Sequence, residues 1–193
     1  MKPLRNQLCP VVFFATALTV CAPAIAWDLN GTRSITIHSR DGQSIPIGSV
    51  NFKPAGSAAT DRIAVTVQMD HSRFKDFFLS MKEFKCLEGA EEIFCHVPYP
   101  YANPGTVTAT DFAWLEHALM FMFKAQAEFG AKLWNGVYFK LALTEKGLVG
   151  RPQAVDLNQI GAPPTDTSVP PYGPRERSDI APEARLFNRI TIE

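Results

Sequence analysis

Three observations predict an α+β fold dominated by antiparallel sheet. Apolar residues alternate with period two from Arg33 to Met69, a second pair of alternating runs flanks Glu145-Lys146-Gly147, and strands do not take turns with helices along the chain. In the first stretch Ile35 and Ile37 share one phase, and Asp41-Gly42 supplies a hairpin turn. Ile45 and Ile47 then share a phase from which Val50 and Phe52 depart, and such a slip at Gly48-Ser49 reads as a β-bulge. Ile63, Val65, Val67 and Met69 alternate with Ala64, Thr66 and Gln68, so the three runs form a meander. The late hairpin covers Val137 to Leu143 and Leu148 to Val155. A last strand is expected over Leu186 to Ile192, with Asn188, Ile190 and Ile192 in phase. Such a sheet could curl toward a barrel.

Two helices are expected beside it. Asp70 can cap a short one in which Phe74, Phe77, Phe78 and Met81 recur at spacings of three and four. The main helix is placed from Asp111 to about Phe129, with Gly130 as its stop. Its Trp114, Leu115, Leu119, Phe121 and Phe123 cover nearly the whole circumference, which predicts a helix buried all round with Leu119 and Phe123 in the core. Glu116-His117 then reads as its narrow wet stripe, where Glu116→Ala should change little. Two segments resist regular structure. His96 to Gly105 holds Pro98, Pro100 and Pro104, and residues 162–182 hold six prolines, which make a polyproline-rich crossing.

The N-terminus carries Met1, Lys2 and Arg5, an apolar run from Val11 to Val20, and Ala24-Ile25-Ala26 before Trp27. These are the cationic, apolar and small-residue parts of a secretory signal peptide, with cleavage expected after Ala26, and residues 27–193 then form one domain. Leu18-Thr19-Val20-Cys21 approaches a lipoprotein box, but Val20 stands where Gly, Ala or Ser is needed, so anchoring through Cys21 is not expected. No later run has the apolar length of a transmembrane segment. Loss of Lys2 and Arg5 from a chain of balanced charge leaves a net charge of −2. That gives no electrostatic footprint for nucleic acid. Of four cysteines only Cys86 and Cys95 follow the leader, and an exported chain with one such pair is expected to form a disulfide.

The segments Phe78-Leu79-Ser80-Met81-Lys82-Glu83-Phe84-Lys85-Cys86, Cys95-His96-Val97-Pro98-Tyr99-Pro100-Tyr101 and Leu133-Trp134-Asn135-Gly136-Val137-Tyr138 resemble those of a family of exported proteobacterial proteins of unknown function. The resemblance implies a periplasmic setting and carries no activity. Trp27-Asp28-Leu29-Asn30-Gly31 before a meander is similar to the start of small ligand-binding barrels of the lipocalin kind, although their Gly-x-Trp order is absent.

Chemistry-bearing motifs are sparse. His38, His71, His96 and His117 are scattered with no His-Glu-x-x-His, so neither a metal nor another cofactor is expected. Ser72-Arg73-Phe74-Lys75 matches Ser-x-x-Lys without the companion motifs of penicillin-recognising enzymes and reads as a polar helix start. Trp134-Asn135-Gly136 reads as a turn with a packed Trp. Two groups remain as candidate sites. One is Glu92, His96, Tyr99 and Tyr101, a rim pinned by Cys95 and prolines that could present aromatic surface and an imidazole to a ligand. The other is Glu116 and His117, a polar pair that must face solvent, a partner group or a cavity. A non-enzymatic domain that binds a small ligand or an envelope protein is the first expectation. The alternative is an envelope hydrolase of unfamiliar type that uses a His with a carboxylate. An enzyme requires those groups to converge in a concave site, whereas a binding module does not.

Overall fold

The computed structural model describes residues 27–54, 61–80 and 82–193. The expected signal peptide, Cys9, Cys21 and Met81 lie outside them. The strands are β1 (Gly31–Ser39), β2 (Ser44–Pro54), β3 (Ile63–Met69), β4 (Lys75–Leu79), β5 (Lys82–Glu88), β6 (Glu92–His96), β7 (Thr106–Val107), β8 (Phe121–Ala125), β9 (Gly136–Thr144), β10 (Gly147–Val155), β11 (Ser178–Asp179) and β12 (Phe187–Ile192). One helix, α1 (Ala113–Ala118), precedes β8. All pairings are antiparallel, in the order β4-β5-β6-β8-β9-β10-β12-β1-β2-β3-β7, with β11 added beside β10. The sheet ends in two edges, β4 and β7, so it is open and not a barrel. Helix α1 touches β3, β7 and β9.

The expected meander and late hairpin are present. The bulge falls where the phase slips: β1 pairs Ile35 with Gly48 and then Thr36 with Pro46, which leaves Ile47 extra. A side chain at Gly48 would run into the Gln68 carbonyl of β3, so this crowded crossing requires glycine. A second bulge lies in β12. His38 pairs with Arg189 and Ser39 with Phe187, so Asn188 leaves the inward phase expected of it.

Both helix expectations need correction. Around Asp70 only a 3-10 turn forms, His71–Arg73, with the Asp70 carboxylate accepting the Ser72 N–H at 3.1 Å. Phe77 and Leu79 then take one phase of strand β4, while Phe78 points outward with 74% of its surface exposed. The main helix stops after six residues, and Phe121 and Phe123 belong to β8. A run apolar on every side also suits a strand covered on both faces, and periodicity does not separate the two cases. Met122 enters one core while Phe121 and Phe123 pack toward the other.

Those two cores lie on opposite faces. One gathers Ile35, Ile37, Phe52, Phe94, Phe139, Ile190 and Ile192 with Leu115 and Leu119. Phe94 and Phe121 stack within it at 4.6 Å. The other covers β5, β6, β8 and β9 with Tyr99, Trp114, Leu157, Ile160 and Tyr172, so the proline-rich crossing is part of the packing. Each such buried side chain contributes about 1.5–3 kcal/mol. Cys86 and Cys95 sit directly opposite each other on β5 and β6 and form the expected disulfide, with Cα atoms 3.9 Å apart and no exposed surface.

Candidate functional site

Helix α1 ends at Ala118, directly after it presents Glu116 and His117, and the fold buries both completely. Strand β8 pairs with β9 only at Val137 and Gly136, so the β9 backbone beyond it lacks a strand partner on that side. Glu116 takes that place: its Oε1 accepts the Leu141 N–H at 2.7 Å and lies 3.3 Å from Lys140 Nζ. The Tyr138 hydroxyl donates to Oε2. Burial pushes that hydroxyl well above the usual tyrosine range, and the neighbouring carboxylate adds to the effect. Arg177, from the proline-rich crossing, donates through Nε to the Gly173 carbonyl at 3.0 Å and lies 4.8 Å over the Tyr138 ring. Its Nη1 stands 3.9 Å from Glu116 Oε2, an ion pair too long for a hydrogen bond. The wet-stripe expectation for Glu116 therefore does not hold. Its carboxylate is a buried acceptor with four neighbours.

His117 is equally enclosed. Its Nδ1 donates to the Ala113 carbonyl at 2.6 Å and its Nε2 accepts the Tyr172 N–H at 3.3 Å, which assigns a neutral ring with the proton on Nδ1. Burial pulls its pKa down to about 4, helped by the Arg177 charge. Tyr172 stacks on it at 5.6 Å and Tyr99 meets it edge-on at 6.0 Å. Tyr101 and Trp114 extend this aromatic group through Tyr99, whose hydroxyl is buried without a partner.

The fold thus brings Tyr99, Tyr101, Glu116 and His117 together and places the other two candidates elsewhere. His96 donates through Nε2 to the Ala118 carbonyl at 2.9 Å and faces Phe121, and burial lowers its pKa to about 4. Glu92 fastens the start of β12. Its oxygens accept the Leu186 N–H at 2.9 Å and Arg185 at 3.1 Å, and burial pushes its carboxyl up against the pull of Arg185. Ser72 bonds Asp70 while Lys75, on β4, pairs with Glu88, so the Ser-x-x-Lys residues do not share a helical turn. Trp134 is 60% exposed beneath Lys132, not packed.

An open cleft lies apart from all of these, bounded by the end of β1, the middle of β10, β11 and the start of β12. It encloses about 800 Å³ between Arg40, Val149, Arg151, Pro152, Asp179, Ile180, Asn188 and Arg189. Its origin is a change of partner: β10 pairs with β12 through Leu148, Val149 and Gly150, and with β11 at Gln153 and Ala154, leaving Arg151 and Pro152 between them. Pro152 has no N–H to leave unsatisfied there. The Asn188 bulge lies on the facing strand. Neither a family model, nor a curated protein, nor a solved structure matches this chain.

Several residues of these two regions were not singled out by sequence reasoning. Tyr138 followed a turn signal and was read only as strand. Tyr172 and Arg177 sit in a segment whose prolines predict irregular backbone but not what it covers. Arg151 and Arg189 did carry a signal, since each occupies the outward phase of an expected strand whose inward residues are apolar.

Proposed function

We propose that this is an exported, non-catalytic binding domain of the periplasm that receives a small ligand in the cleft between β10 and β12. The observation that carries the reading is the engagement of every candidate catalytic group by the fold itself. Both ring nitrogens of His117 and both carboxylate oxygens of Glu116 and Glu92 have protein partners, and His96 donates to backbone. None of the candidates His96, His117, Glu92 and Glu116 meets another in an open concave site, which a hydrolase needs. The cleft volume falls within the range of small-molecule pockets. The buried disulfide is the bond an oxidising compartment permits. Among the described residues no helix is long and apolar enough to cross a membrane.

A thermal-shift panel of neutral, cationic and anionic small molecules tests the reading. At least one should raise the melting temperature, and Val149→Trp, which fills the cleft, should abolish the effect. A panel without any shift, or a binder indifferent to Val149→Trp, would overturn it. So would hydrolysis of ester or amide substrates that is lost in His96→Gln or His117→Gln. Export is tested separately by intact mass, with the periplasmic form expected to begin at Trp27, whose ring packs edge-on against Phe52 at 5.8 Å. An acylated Cys21 would refute it.

A further inference from the structure

Resting on that reading, we infer that the cleft selects an anionic ligand, one bearing at least two phosphoryl or carboxylate groups, held between the guanidinium forks of Arg151 and Arg189. The argument begins with the ladder between β10 and β12. Its pairs run Leu148 with Ile192, Val149 with Thr191 and Gly150 with Ile190. The next step would set Arg151 opposite Arg189, and there the pairing stops. Like charges placed opposite each other across a sheet repel. Here they stand at the mouth of a cleft.

The surrounding charges deepen the imbalance. Arg151 pairs across the other side of its strand with Lys140, and Arg189 pairs with His38 of β1. Lys140 is taken up by Glu116. His38 has its ring nitrogens bonded to the Ser44 and Thr191 hydroxyls, each at 2.9 Å, so it offers Arg189 no compensating charge. Among the described residues no carboxylate forms an ion pair with Arg151 or Arg189. Arg40 lines the same cleft, held by Glu91 and by the Glu183 carbonyl at 2.7 Å. Asp179 is the one acid in the lining, and its carboxylate accepts the Gln153 amide at 2.8 Å. Two free, planar, five-donor forks over one occupied acid match oxyanions, which accept such forks in bidentate fashion. The bulge leaves Asn188 in the lining beside Arg189, adding an amide donor for a neutral oxygen of the ligand. The cleft is far larger than one oxyanion, which favours an organic anion over a lone inorganic ion.

Calorimetry on the full exported chain with pyrophosphate, with citrate and with vesicles containing cardiolipin, whose headgroup bears two phosphates, tests the inference. At least one probe should bind, with affinity falling as salt is raised. Arg151→Gln with Arg189→Gln should weaken binding at least tenfold, while Lys53→Gln, a charge loss on exposed β2, should leave it within twofold. Because both arginines are exposed and mutually repelling, the double variant should retain the wild-type melting temperature or exceed it, which separates lost binding from lost folding. Preference for vesicles would name a lipid headgroup as the source of the anion, and preference for the soluble probes a free metabolite. No binding of any probe, or binding unaffected by the double variant, would overturn the inference. A neutral ligand displaced by Val149→Trp would in that case leave the binding-domain reading standing.

Discussion

Tyr138 donates its hydroxyl hydrogen bond to Glu116, and neither side chain has any exposed surface. The pair ties α1 to β9 at the place where β8 no longer reaches. Removal of the carboxylate would leave the Leu141 N–H without its acceptor, and Lys140 and Arg177 without their counter-charge. Glu116→Ala is therefore expected to destabilise by about 3–5 kcal/mol, and Tyr138→Phe by about 1–3 kcal/mol. Urea titration of the two variants gives both values. A Glu116→Ala midpoint close to wild type would return this residue to the solvated stripe that the helical pattern suggests.

The histidines make stability depend on pH. His96 and His117 have folded-state pKa values near 4 against an ordinary 6.5, and burial lowers that of His38 as well. Such a base takes up its proton more readily when unfolded, so stability is whole above about pH 6.5 and is withdrawn as pH falls toward 4. Glu92 acts in the opposite sense, because protonation relieves its buried charge. The net loss across this window is expected to be on the order of a few kcal/mol. Urea midpoints at pH 7.5 and 4.5 measure it, and equal midpoints would mean that the rings are not held neutral.

Leu119 and Phe123 should separate under truncation. Leu119 closes α1 with no exposed surface, so Leu119→Ala is expected to cost about 2–5 kcal/mol by leaving a cavity. Phe123 lies on β8, half-buried under the Arg185 guanidinium at 3.7 Å, and its truncation should cost less. A larger loss at Phe123 than at Leu119 would contradict the burial of the two residues.

Replacing Cys86 and Cys95 together by Ser should lower stability by about 2–3 kcal/mol and leave a folded protein. From sequence, the loosened region should centre on residues 86–101. The structure moves it toward the N-terminus. Tyr99 and Val97 are held independently by the His117 and Met120 carbonyls, whereas edge strand β4 reaches the sheet only through β5, which meets β6 at three residue pairs. Hydrogen exchange should therefore rise most across 75–88. Greatest exchange near Tyr99 would restore the earlier placement.

Strands whose faces differ were legible, because one buried and one solvated face impose a period of two on Ile35-Ile37 and on Val65-Val67. The central strand β8 was not legible, since Met120 to Phe123 are apolar on both faces and fit a buried helix equally well. The Glu92-to-Tyr101 rim was grouped by proximity in sequence, but alternation along β6 and the turn after it send His96 and Tyr99 to different cores. The cleft depends on where two distant strands part, at Gly150 and Ile190, and no local pattern encodes that separation.

The order of the sheet also bears on when this chain can fold. Strand β12, which follows every other strand in sequence among the described residues, lies between β10 and β1, with Ile192 opposite Ile35. Until β12 has docked, the early meander therefore carries an unfilled edge at β1. Contacts between residues far apart in sequence are slow to form, because a long loop must close before they contribute. Such a topology makes the docking of Phe187–Ile192 between β10 and β1 a late step of folding.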